Sequence, residues 1–178
     1  GYNLSTPIQL AMPTAAVANG GDRLQPTLVR SVKSADGGVI SQAERKVIGH
    51  LPVSAANMEI VKHGLWTVVN HTRGTAYKAR IEGVEMCGKT GTAQVVGRKP
   101  GVEISEEDLA QHLKPHAWFV GYAPAEAPKI AVAVIIENGE HGSTAAAPVV
   151  SAVTRHYLLG PEPVIEPEEG EGVVASAQ

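Results

Sequence analysis

Apolar and polar positions alternate along this chain in two periods, and the switches between them outline its elements. "SAANMEIVKHGLWTVVNH" carries the clearest helical signal. Met58, Val61, Leu65, Val68 and Val69 share one face of a helix, and Ser54 is placed to cap its start. "STPIQLAMPTAAVANGG" also has the grammar of a helix start. Ser5 or Thr6 can cap, Pro7 suits the first turn, and Ile8, Leu10 and Met12 begin an apolar set. Pro13 falls inside this run and predicts a kink or a division. Asn19, Gly20 and Gly21 end it. "LQPTLVRSVKSADGGVI" then reads as extended chain around a turn at Asp36, Gly37 and Gly38.

The second half changes to strand periods. "VEMCGKTGTAQVV" is strand-like but interrupted by Gly88 and Gly91. Residues 97–115 are polar without a sustained period, and read as a long surface insertion with a short helix able to start at Ser105. "HAWFVGYAP" is a strand that sends Trp118 and Phe119 to opposite faces, one to the core and the other toward a helix or a cleft. "KIAVAVIIENG" is nearly continuous in apolar residues, which predicts a strand buried on both faces. "STAAAPVVSAVTRHYLLG" closes the pattern as a helix capped by Ser143 or Thr144, with Val149, Val150, Val153 and Tyr157 toward the sheet. Strands joined partly by short turns and flanked by helices define an α+β domain with an antiparallel sheet.

Composition narrows this outline. The chain has 178 residues with an ordinary 43% hydrophobic fraction, enough for one sizeable core. Aromatics are only 4%, so that core is built mostly of Val, Ile, Leu and Ala. The formal charge of −3 is unevenly placed, because residues 161–178 hold five Glu and no Lys or Arg. The expected division is a folded unit over 1–160 and a disordered acidic tail over 161–178. The folded part has no basic block, which argues against a nucleic-acid partner. Cys87 is the single cysteine and excludes an internal disulfide. No stretch reaches the length of a membrane span.

The chemistry centres on one lysine that two motifs claim. Gly83 to Thr90 fits G-x-x-x-x-G-K-[ST], the phosphate-loop pattern. That loop needs a helix starting at the Lys–Thr pair to aim backbone N–H groups at phosphate. Here Gly91, Thr92, Val95 and Val96 follow, which favour strand over helix. Glu85 would also place an anion among phosphates. Lys89 to Ala93, read instead as a strand, put Lys89, Gly91 and Ala93 on one face and Thr90 and Thr92 on the other. Such an edge strand can hold a peptide by backbone pairing. Gly91 leaves room for a substrate backbone, the Thr92 hydroxyl suits a carboxylate, and Lys89 supplies positive potential. A backbone N–H near Thr92 can stabilise an oxyanion in acyl transfer. A solvated edge beside a turn is the plain alternative.

Lys89–Thr90–Gly91–Thr92–Ala93–Gln94 resembles the third motif of the penicillin-binding D,D-transpeptidases, the serine β-lactamase-like fold. "GYNLSTPIQLAMPTAAVANGG" resembles the segment after the second motif of class B members, and "RGTAYKARIEGVEMCGKTGTAQV" the approach to the third. "HAWFVGYAP" and "KIAVAVIIENG" resemble the two strands that follow, and "YNLSTPIQLA" and "GTAYKA" point to the elongation-specific branch. The resemblance covers residues 1–160 and implies a partial transpeptidase domain. It implies a serine that attacks the D-Ala–D-Ala amide of a peptidoglycan stem peptide, releases D-Ala, and passes the acyl group to a neighbouring amine. β-Lactams would acylate the same serine. Lys89 takes the place of the motif lysine, with Thr90, Gly91 and Thr92 on the substrate and Tyr77 and His141 as further cleft candidates. No metal or cofactor is implied. Partners would be wall-elongation membrane proteins, with the parent anchored in the bacterial inner membrane and this domain outside it.

One departure is severe. The family needs S-x-x-K for the nucleophile and S-x-N or S-x-D for a second wall. "SVKS", "SAAN" and "SEED" fit neither, and Ser5 and Ser143 read as helix caps. The chain is therefore expected to hold one wall of a cleft, to be inactive alone, and to expose apolar surface. The alternative is a non-catalytic penicillin-sensing or binding module of the same fold. His112 and His116 are four apart with Pro115 between them, a poor metal pair. Cys87 has no placed base and reads as a buried small hydrophobe.

Overall fold

The computed structural model describes residues 4–95 and 110–161. Helix α1 spans Pro7–Ala18. Thr6, rather than Ser5, caps it: its Oγ1 accepts from the Gln9 N–H at 3.3 Å, and Gln9 Oε1 accepts from the Thr6 N–H at 2.9 Å. Pro13 neither divides nor ends the helix, which runs through it to Ala18. Two glycines with positive φ then turn the chain. A Cβ on Gly21 would lie 2.6 Å from the His50 ring, so glycine lets a distant strand come close.

That strand was not foreseen. β1 (Asp22–Leu24) pairs antiparallel with β4 (Val47–His50), and between them β2 (Ser31–Lys33) and β3 (Val39–Gln42) form a hairpin. The turn expected at Asp36, Gly37 and Gly38 is that hairpin's turn, closed by the Ser34 N–H to the Gly38 carbonyl at 2.8 Å. Helix α2 (Ala55–Asn70) begins at Ser54, whose Oγ accepts from the Asn57 N–H. Its inner face is Met58, Val69 and the partly buried Leu65 and Val68. Val61 is 46% exposed, so the predicted stripe is too wide by that residue.

The main sheet has the order β5-β6-β7, all antiparallel, with β5 (Cys87–Ala93), β6 (His116–Ala123) and β7 (Ile130–Ile136). Gly88 and Gly91 do not interrupt β5, which keeps register with β6 from Cys87↔Tyr122 to Ala93↔His116. A Cβ on Gly88 would lie 2.4 Å from the Phe119 ring, so this glycine makes a seat for a fully buried aromatic. Phe119 is thus the core member of the Trp118–Phe119 pair, and Trp118 is half-buried on the other face. β7 is partly buried along its whole length rather than sealed.

A π-helical turn, Gly142–Ala146, leads into α3 (Ala147–Leu159). Ser143 and Thr144 lie inside the turn and cap nothing; the His141 carbonyl accepts the N–H groups of Thr144 and Ala145 instead. α3 buries Ala147, Val150 and Thr154, with Leu158 packed on the same core. Val149, Val153 and Tyr157 are exposed, against expectation. The buried stripe runs through Ala147, Val150, Thr154 and Leu158, one position beyond the predicted Val153 and Tyr157. The central core joins Val69, Met86, Phe119 and Val150. The acidic stretch over 162–178, and the helix start at Ser105, lie outside the described residues.

Candidate active site

β5 has one strand partner among the described residues, which leaves its outer edge free for pairing over the motif. Lys89 and Thr92 are exposed, while Thr90 and Gly91 are half-buried. Pairing register puts Thr90 and Thr92 on the Phe119 face, and Lys89 and Gly91 on the Trp118 face. Lys89 Nζ donates to the Thr90 carbonyl at 2.7 Å, so the ammonium folds back along its own strand. The phosphate-loop reading fails on this geometry, because Lys89 and Thr90 sit within a strand and start no helix.

Two neighbours frame the motif. The first is the loop after α2. Gly74 packs so tightly on that helix that a Cβ would lie 2.3 Å from the Val68 carbonyl oxygen. The Ala76 N–H donates to the same carbonyl at 3.0 Å. These contacts hold Thr75 with its hydroxyl 3.3 Å from that of Thr90. Sequence reasoning passed over Thr75; its signal was the "GTA" between a helix end and the motif. Tyr77, the residue singled out there, starts a 3-10 turn and carries the Arg80 guanidinium 3.6 Å above its ring.

The second neighbour is the π turn. A Cβ on Gly142 would lie 2.1 Å from the Trp118 carbonyl oxygen, and 2.7 and 2.9 Å from the Gly91 oxygen and nitrogen. Backbone therefore rests on backbone at the motif glycine. His141 is exposed and heads this turn, so the structure sets it one residue from that contact.

Other candidates resolve differently. Cys87 is buried beside Tyr122, and burial pushes its thiol pKa up, the opposite of nucleophile activation. Among the described residues the buried Tyr122 hydroxyl has no hydrogen-bond partner of ordinary geometry, and the Cys87 thiol is its polar neighbour. Burial, followed by the neighbouring thiol, raises its pKa too. His116 Nδ1 accepts from the Asn138 N–H at 2.9 Å, and His112 is exposed. Among the described residues no group of three His, Cys, Asp or Glu is arranged to hold a metal ion. One literal S-x-D escaped the sequence reading, Ser34–Ala35–Asp36. The single Ser34 hydroxyl hydrogen is shared between the Asp36 carboxylate and the Gly38 carbonyl within the β2–β3 turn, which accounts for the pattern.

An edge strand bearing Lys-Thr-Gly-Thr, backed by helices on an antiparallel sheet, is the arrangement that the resemblance implied. Residues 1–155 match the family of the penicillin-binding protein transpeptidase domain, and the chain belongs to that family. Within it, the chain is closely related to the elongation proteins of the penicillin-binding protein 2 (MrdA) type. It is 36% identical over 170 residues to the peptidoglycan D,D-transpeptidase MrdA of Haemophilus influenzae, covering 93% of this chain and 26% of the relative. Penicillin-binding protein 2 of Pseudomonas aeruginosa, solved with WCK 5153, superimposes with a TM-score of 0.70 at 38% identity, over 97% of this chain and 34% of that one. Penicillin-binding protein A of Mycobacterium tuberculosis, solved as a ceftriaxone acyl-enzyme, gives a TM-score of 0.68 at 35% identity, over 86% and 32%. The Helicobacter pylori penicillin-binding protein 2, solved with MreC, gives 0.61 at 28% identity, over 90% and 26%. The chain spans about a quarter of the length of the curated relatives it matches. Among the described residues no helix is long and apolar enough to cross a membrane.

Proposed function

We propose that this chain is one wall of the acyl-transfer cleft of a longer serine D,D-transpeptidase that cross-links peptidoglycan stem peptides and is acylated by β-lactams. The free edge of β5 carries this reading, because it offers the whole Lys89–Thr92 motif to an extended peptide. Lys89 sets a positive field. The Thr92 hydroxyl holds the substrate carboxylate, and the Thr92 N–H donates to the oxyanion as the carbonyl turns tetrahedral. Thr90 lines the same side, oriented by Thr75. Gly91 meets the substrate only along the strand's outer edge, since its Trp118 face is taken by the Gly142 backbone; His141 stands at the rim, and Tyr77 supports the loop that holds Thr75.

The nucleophile and its lysine belong to a part of the longer protein outside these residues, since the chain has no S-x-x-K. The 178 residues alone are then inactive. The MreC complex of the Helicobacter pylori relative supports an elongation protein as partner of the longer protein, whose proposed place is the cell membrane with this domain outside it. Incubation with a fluorescent penicillin tests the reading. The purified chain should show no covalent band and the longer protein should show one; a band on the isolated chain contradicts the proposal.

A further inference from the structure

The turn between β7 and the π-helical segment is built under strain and held by many bonds. Asn138 and Glu140 adopt φ of 55° and 63°, the left-handed region that non-glycine residues seldom enter. Between them Gly139 admits no side chain, because a Cβ would lie 2.8 Å from Ile136. Such a backbone persists only where its surroundings over-determine it. Here the surroundings are the segment that enters β6. The Asn138 N–H donates to His116 Nδ1 at 2.9 Å, and Asn138 Nδ2 donates to the Lys114 carbonyl at 2.9 Å. Gln111 Nε2 donates to the Asn138 carbonyl at 3.1 Å, and the Glu140 N–H to the Pro115 carbonyl at 2.9 Å. Lys114 and Glu140 add an ion pair.

Both anchored segments converge on the motif. Entering β6, His116, Ala117 and Trp118 are the register partners of Ala93, Thr92 and Gly91. Leaving the turn, Gly142 rests its backbone on Gly91 and Trp118. The turn thus joins the strand beside Thr92 to the segment stacked on Gly91.

We infer that the turn over residues 138–141 is a clamp that sets the position of the β5 backbone at Gly91 and Thr92, with Asn138 as its positioning residue. Asn138 touches no reacting atom. Its side chain satisfies the Lys114 carbonyl, and asparagine tolerates the left-handed backbone better than most residues. A backbone donor such as the Thr92 N–H depends on where the strand lies, whereas a hydroxyl can rotate to compensate. Loosening the clamp therefore weakens oxyanion stabilisation more than substrate binding. The inference rests on the acyl-transfer reading of β5.

The test uses the longer protein and a labelled penicillin, with the reversible binding constant and the first-order acylation rate measured separately. Asn138→Gly permits the left-handed backbone, removes the side-chain bond to the Lys114 carbonyl and frees the turn's backbone, all of which loosen the clamp. It should slow acylation about tenfold, since small displacements of positioned groups carry penalties of that order. Binding should change less than about twofold. Gln111→Ala, at an exposed position, should slow the same step roughly two- to threefold, the worth of one modest hydrogen bond. It supplies the answer if Asn138→Gly does not fold. Normal acylation in both variants, even with a lower Tm, overturns the inference and makes the turn purely structural. An equal loss in binding and acylation overturns it as well. If the unaltered protein forms no acyl-enzyme, the acyl-transfer reading itself has failed, and the clamp falls with it.

Discussion

Glycines at two positions separate steric need from conformational habit. Gly142 lies where any Cβ meets the Trp118 carbonyl and the Gly91 backbone. Gly142→Ala should cost about 1–3 kcal/mol, as overpacking does, read as a lower urea midpoint at unchanged slope. Gly64 sits mid-helix in α2 with nothing within 4 Å of its missing Cβ. Gly64→Ala should instead stabilise by about 0.5–1 kcal/mol, the helix-propensity difference. Opposite signs in one denaturation series would confirm that the Gly142 contact is packing, and equal signs would remove it. Thr75 offers a functional counterpart. Its hydroxyl touches only the Thr90 hydroxyl among the described side-chain bonds, so Thr75→Val removes one hydrogen bond. In the longer protein this should reduce penicillin acylation roughly 2- to 10-fold, the range one neutral bond spans, with Thr75→Ser restoring it. An unaltered rate in Thr75→Val would show that Thr90 needs no orienting partner.

At the scale of elements, pH should act on the small sheet first. The Arg45 side-chain hydrogen bond, followed by that of His50, holds the Asp22 carboxyl below the usual carboxylate range. A group whose folded pKa is lowered stabilises above its unfolded value, and that contribution is lost as pH falls through the folded value. The β1–β4 pair should therefore loosen on the acid side of the ordinary aspartate range, near pH 4. Hydrogen-exchange protection factors of the Gln25 and Leu51 amides, which donate to the Lys46 and Gly21 carbonyls at 2.9 and 2.8 Å, should fall there, and Asp22→Asn should abolish that dependence. A wild-type profile in Asp22→Asn would assign the loosening to another group. The same elements show where sequence reading stops. α2 was legible because Ser54, a helical period and a polar outer face all agree. The β1–β4 pair was not, because strands of three and four residues carry little periodicity and their partners lie far apart in sequence. The sheet-facing stripe of α3 was misjudged because valines at 149 and 153 outweigh one threonine in a sequence pattern.

On the scale of the whole molecule, the core is continuous around Phe119 but the periphery is strongly apolar. Ile8, Ile40, Ile48, Ile60 and Tyr157 are all more than a third exposed. They are spread over α1, β3, β4, α2 and α3, so apolar area is offered to other molecules on several elements. The isolated chain should associate as concentration rises, visible as a growing weight-average mass in sedimentation; a strict monomer at all concentrations would contradict this. The motif itself was legible as a strand because Gly91 and Thr92 forbid the phosphate-loop helix. Its framing by Thr75 and Gly142 was not, because both come from segments distant in sequence whose approach depends on glycine packing.

In the proposed reading, β5 faces a nucleophile carried elsewhere in a longer protein. Peptide mapping by mass spectrometry after penicillin treatment of that protein addresses it most directly. The adduct should map to a serine outside these 178 residues, and Lys89→Ala or Thr92→Val should sharply slow its formation. An adduct on a residue of this chain, such as Ser143 or Cys87, or labelling indifferent to both substitutions, would contradict it.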